Sequence, residues 1–198
     1  MIDHLVYATP DLAGTERELR ERGVELSQGG PHVGLGTRNC LADLGDGRYL
    51  EVVGPDLGQP GFDGVRMFGI DDLAAPRLVT WAAGVRDLDA VAAGHDYAEP
   101  FGMSRRRPDG VLLAWRLAWP VDDQGGVVPF LIDWADSAHP AETAAKGAHL
   151  LELRLAHPDP AAISAILRTL GVDLEVTDAA RPSLTATLAT RTGELVLS

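Results

Sequence analysis

The chain has 198 residues, 45% hydrophobic and 23% charged, a globular composition that argues against disorder. Its 29 acidic residues outnumber 17 basic ones, and the formal charge of -12 repels phosphate backbones, so nucleic acid is not an expected partner. No apolar run approaches the ~18 residues of a membrane span, and a single cysteine, Cys40, excludes an internal disulfide or a cysteine-built zinc site.

The opening residues, MIDHLVYATPDL, enter a strand-like pattern with no basic segment ahead of a long apolar one, so a cytoplasmic location is expected. Ile2 to Ala8 has the β-branched and aromatic content of a strand. Asp11 predicts an N-cap and Gly23 a stop for a helix from about Leu12 to Glu21. A short strand is expected near Val24 to Ser27, then a Gly-rich loop, then a strand from about Arg38 to Leu44. Gly45-Asp46-Gly47 is a hairpin signal, and Arg48 to Val53 closes a β-α-β-β-β unit.

The order then returns. Arg77 to Ala83 is strand-like, and Asp87-Leu88 echoes Asp11-Leu12 at the start of a helix that runs to Ala93 before Gly94. Strands fit Met103 to Arg107 and Val111 to Trp119 around the turn Pro108-Asp109-Gly110, and Val127 to Trp134 closes the second unit. A third pass has a strand from His149 to Ala156, a helix from about Ala161 to Leu170 stopped by Gly171, and strands Leu184 to Thr190 and Glu194 to Leu197. The expected fold class is α+β: a first module over 1–54, a linker over 55–76, a second module over 77–134, a linker over 135–147 and an accessory unit over 148–198. Both linkers are long; the first could cover a cavity mouth and the second tether the third unit.

Polar residues inside strands demand an explanation, because a strand's inward face is normally apolar. His4 lies mid-strand, Glu51 stands between Leu50 and Val52, and Asp133 ends the apolar run Pro129 to Ile132. Singly, each is accounted for by a hydrogen-bonded core histidine or a solvent-facing acid. Together, an imidazole and two carboxylates on a curved sheet form a usable divalent-metal constellation.

Five segments carry a resemblance: IDHLVYA at 2–8, GGPHVGLGTRN at 29–39, YLEVV at 49–53, RRPDGVLLAWR at 106–116 and PFLIDW at 129–134. With them the chain resembles the glyoxalase-like branch of the vicinal oxygen chelate superfamily. That resemblance implies paired βαβββ modules forming a curved eight-stranded cleft, with metal ligands on the first and last strand of each module. His4 and Glu51 match those positions in the first module. In the second, the offset points to Thr80, a poor ligand, and to Asp133. The third unit offers Glu152 and Glu194 at best, and is expected to pack on the pair or to make a homodimer contact.

Other motif residues are expected to line the pocket. His32 is the candidate proton-transfer residue. Arg38 and Asn39 could orient a carbonyl or carboxylate, while Arg106 and Arg116 could reach an anionic group. Trp81, Trp115, Trp119 and Trp134 are candidates for a hydrophobic wall. The resemblance implies a lyase, isomerase or dioxygenase that holds its small-molecule substrate on a divalent metal ion. Its alternative is a metal-free binding or sequestering protein of the bleomycin-resistance type, to which Thr80 and the tryptophans point.

Overall fold

The computed structural model describes residues 1–198. Strand β1 (Ile2–Ala8), helix α1 (Leu12–Glu21) and strands β2 (Ser27–His32), β3 (Thr37–Gly45) and β4 (Arg48–Pro55) make the first unit. Strand β5 (Arg77–Gly84), helix α2 (Leu88–Ala93) and strands β6 (Phe101–Arg106), β7 (Leu112–Ala118) and β8 (Phe130–Asp133) make the second. Strand β9 (His149–His157), helix α3 (Pro160–Thr169) and strands β10 (Val176–Asp178), β11 (Ser183–Thr190) and β12 (Gly193–Leu197) make the third.

Each helix begins where an aspartate can satisfy an orphan backbone N–H: Asp11 accepts from Gly14, Asp87 from Ala90 and Asp159 from Ala162. In α1, Leu12, Thr15 and Leu19 form the buried stripe that lays the helix on the sheet. The strand expected at Val24 to Ser27 is displaced to Ser27–His32. Val24 and Leu26 are buried core residues in irregular chain, so their hydrophobicity reflects packing and not strand pairing.

The first eight strands form one sheet in the order β2-β3-β4-β1-β5-β8-β7-β6, with β1 and β5 antiparallel at its centre. The other four form a separate sheet, β10-β9-β11-β12. The third unit packs against the face that carries the helices: β9 lies near β3, β11 near β5, and the Ser198 carbonyl accepts from the Leu78 N–H at 2.9 Å. Leu5, Leu44 and Trp81 of the large sheet, Leu12 and Leu88 of two helices, and Leu155, Ile163 and Leu188 of the third unit share one core. The opposite, concave face carries a smaller apolar cluster that includes Val6, Val53, Ala82, Trp115 and Phe130. No helix is long and apolar enough to cross a membrane.

Candidate functional site

Strand alternation decides which side chains enter the concave face. On β4 these are Tyr49 and Glu51, on β3 Asn39, and at the end of β2 His32; together with His4 of β1 and Arg105 of β6 they form one polar wall. Across from it, Trp115 of β7, Phe130 and Ile132 of β8, and Trp119 and Trp134 just beyond those strands form an apolar wall. Met67 and Phe68, from the long first linker, complete the lining, so that linker does reach the cavity. The cavity between the walls is about 40 Å³, and most of its lining is apolar.

Glu51 is held at one oxygen and free at the other. Asn39 Nδ2 donates to Oε1 at 2.6 Å and lies 3.3 Å from His32 Nε2. With an amide N–H facing it, His32 Nε2 serves as acceptor and Nδ1 as donor to Thr37 Oγ1, 3.0 Å away. Burial depresses the His32 pKa below the ordinary histidine value; Arg105 adds to this and Glu51 opposes it. Asn39 is pinned from behind, where a Cβ at Gly29 would stand 2.0 Å from its Oδ1. That oxygen is buried without a partner, and turning the amide over would set it against the Glu51 carboxylate.

Glu51 Oε2 faces His4 Nε2 at 3.7 Å, too far for a hydrogen bond. The His4 ring is fixed from three sides. It stacks on Tyr49 with centroids 4.5 Å apart, meets Phe130 edge-on at 5.4 Å, and its Nδ1 lies 2.7 Å from Asp3 Oδ1. A carboxylate accepts, so Nδ1 carries a proton, and Nε2 is the ring nitrogen that faces Glu51. Asp3 reaches this position through a bulge: β1 and β5 shift register between Ile2 and His4, leaving Asp3 as the extra residue.

Asp3 also accepts from Trp134 Nε1 at 3.2 Å and from His139 Nε2 at 3.0 Å. The backbone N–H of Ala141 donates to His139 Nδ1, which leaves the proton on Nε2. Burial alone would raise the Asp3 pKa, but the hydrogen bonds from His139 and His4 and their charges outweigh it and hold the carboxyl well below the usual range. Burial, with Asp3 and Glu51 nearby, drives the Tyr49 phenol far above its ordinary value and keeps it protonated.

Of the residues expected from sequence, His4, His32, Asn39, Glu51, Trp115, Trp119 and Trp134 converge on the cavity. Five do not. Arg38 alternates with Asn39 onto the other face of β3, beside Gln28 and Asp56. Trp81 is fully buried in the helix-side core, donating to the Val127 carbonyl. Arg106 turns out to the hairpin tip and donates to the Gly110 carbonyl. Arg116 makes a two-pronged pair with Asp89 on α2.

Asp133 fails by parity. Phe130, Ile132 and Trp134 point inward, so Asp133 points outward, paired in register with Arg116 and accepting from the Ala135 N–H. Register also identifies the true counterpart of Glu51. Aligning Asp11-Leu12 with Asp87-Leu88 sets His4 against Thr80 and Val6 against Ala82. Val6 pairs with Glu51 across β1 and β4, and Ala82 pairs with Phe130 across β5 and β8. Phe130 therefore occupies the place that Glu51 has in the first module.

A divalent ion does not fit this donor set. The second module contributes a phenylalanine and a threonine outside the cavity lining, and the Asn39 amide hydrogens occupy the gap between Glu51 and His32. No group of three His, Cys, Asp or Glu side chains is arranged to hold a metal.

The sequence reading missed Asp3, Tyr49, Arg105, Phe130 and His139. The triplet Arg105-Arg106-Arg107 marks a cationic strand end, but only the β6–β7 register tells which arginine turns inward. Nothing in the second linker distinguished His139.

Paired βαβββ modules around a small-molecule cleft define a class of protein. A family model described as "Glyoxalase-like domain" matches residues 2–171, and the chain belongs to that family, within the vicinal oxygen chelate superfamily. A hypothetical protein from Staphylococcus aureus is similar over its whole length: TM-score 0.72, 12% identity, covering 100% of this chain and 98% of that one. Methylmalonyl-CoA epimerase from Mycobacterium tuberculosis aligns with TM-score 0.46 and 16% identity, over 67% of this chain and 85% of that one, a likeness too slight to argue from. No curated protein matches the chain in sequence.

Proposed function

We propose that the cleft is a metal-independent proton-transfer site, of the isomerase or lyase kind, in which Glu51 takes a proton from a carbon next to a carbonyl group. One observation carries this reading: Asn39 occupies one oxygen of Glu51, while Oε2 takes no hydrogen bond from the protein and lies on the cavity wall 3.7 Å from His4 Nε2. That free oxygen is available to an acidic C–H or O–H of a substrate in the cavity. Asn39 holds the other carboxylate oxygen and aims the free one.

In the forward step the C–H electron pair becomes the enolate double bond, the charge moves to the carbonyl oxygen, and the proton goes to Glu51. The protonated Tyr49 phenol supplies an O–H for that oxygen. His4, backed by Asp3, can share the proton and return it to the same or a neighbouring carbon. The aromatic wall excludes water from the carbanion.

The test is deuterium wash-in, followed by proton NMR, on a panel of aryl-substituted carbonyl compounds in D2O. The expected result is exchange by chelator-treated wild type, reduced by about 10²-fold or more in Glu51→Gln. Binding of the panel without exchange would leave a metal-free sequestering protein instead. A stoichiometric divalent ion in the purified protein, lost in His4→Ala, would favour metal-dependent chemistry over the present reading.

A further inference from the structure

Arg105 is the one buried cation of the chain. It is 4% exposed, and no other Lys or Arg is buried. Eight arginines, among them Arg20, Arg38, Arg66 and Arg116, have a carboxylate within 4 Å; Arg105 has none. Its only protein acceptor is the Gly29 carbonyl, reached from Nη1, although a guanidinium offers five N–H donors. The remaining donors have no acceptor in the protein, and the side chain lines the cavity beside Met103 and Trp115.

Burying a charge without a partner costs several kcal/mol, and in structures such charges are normally paired or bonded out. Burial accordingly depresses the Arg105 pKa, with Glu51 opposing from a distance. The bond to Gly29 ties β6 to β2, the two ends of the eight-stranded sheet, but one neutral donor would serve for that. The full guanidinium, kept inside a cleft whose other groups are a carboxylate, imidazoles and aromatic rings, has no carboxylate within salt-bridge distance.

We infer that the cleft takes a small carboxylic acid as its anion, with the carboxylate on Arg105 and an apolar body along Trp115, Trp134 and Phe130. This rests on the reading of the same cleft as a proton-transfer site and names its substrate class. A planar carboxylate matches a guanidinium fork in two parallel hydrogen bonds. A phosphate shares the chemistry but brings nearly two charges, and no second lysine or arginine lines the cavity.

The inference is tested by calorimetric titration of wild type with benzoate, phenylacetate and 2-naphthoate, each against its amide, and with 2-naphthyl phosphate. At least one acid is expected to bind tenfold or more tightly than its amide and than the phosphate. In Arg105→Gln that preference should disappear, and in Arg105→Lys, which keeps the charge, part of it should remain. Equal binding of acid and amide, tighter binding of the phosphate, no binding of any probe, or a preference that survives in Arg105→Gln overturns the assignment. The wild-type comparison stands even if a variant fails to fold. Glu51→Gln should keep the acid preference; a wild type that prefers acids yet exchanges no proton sinks the proton-transfer reading and leaves the carboxylate pocket standing.

Discussion

The two modules share a backbone plan and differ in what they present to the cleft. At the position where the first module has Glu51, the second has Phe130; where the first has His4, the second has Thr80. One half is therefore a network of directed hydrogen bonds and the other a set of aromatic contacts, such as Trp119 on Phe130 at 4.8 Å and Trp115 on Trp134 at 5.2 Å. Pseudosymmetric sheets allow this division because each module supplies its own face. A substrate can then be gripped by shape on one side and handled chemically on the other. Polar networks fail when one member is lost, whereas apolar walls tolerate exchange of similar volumes.

The largest effect should come from the hub of the polar half. Asp3→Ala leaves His4, Trp134 and His139 without their common acceptor, and should destabilise the fold by about 3 kcal/mol, measured by urea unfolding. If the loss were under about 1 kcal/mol, the two halves would not differ as described. Gly29→Ala comes next. Its Cβ would push directly on Asn39, and a cost of about 2 kcal/mol with loss of proton exchange is expected. Trp115→Phe in the aromatic half should cost less than about 1.5 kcal/mol and change apolar binding more than exchange.

A pH series sharpens the same contrast. Between the depressed pKa of folded His32 and the ordinary value of 6.5, the unfolded chain binds a proton that the folded chain refuses. Stability should therefore fall as pH drops below about 6.5, and His32→Gln should flatten that slope. Asp3 acts further down: its folded pKa lies below the ordinary 3.8, so its contribution is present above that value and is lost as pH falls through the acid range. An equal slope in His32→Gln and wild type between pH 7 and 5 would assign the effect to other groups.

The three units were legible in the sequence because their punctuation is local: an aspartate cap, an amphipathic helix, a glycine stop, then strands. His4, Glu51, His32 and Asn39 were legible because a polar side chain inside an apolar strand or a Gly-rich turn is conspicuous by itself. Residues that depend on register were not. Arg105 and Arg106 are neighbours, and a one-residue difference in pairing sends one into the cavity and the other to water. Asp3 depends on a bulge, and His139 on the path of a linker across the cleft; neither leaves a trace in local pattern.

Asp133 provides the smallest and most discriminating effect. By chain position it closes the second module as Glu51 nearly closes the first, which made it an attractive third ligand. In the sheet it lies on the outward face, half-exposed, bonded only to the Ala135 N–H two residues on. Asp133→Asn retains an oxygen for that bond and removes only a charge near Arg116. It should change stability by no more than about 0.5 kcal/mol and leave both acid binding and proton exchange at wild-type levels. The neighbouring Ile132→Asp moves a carboxylate by one residue onto the cavity face, and should weaken binding of apolar acids by repulsion. A loss of exchange in Asp133→Asn, with the fold intact, would mean that this strand pairs one residue out of the register found here.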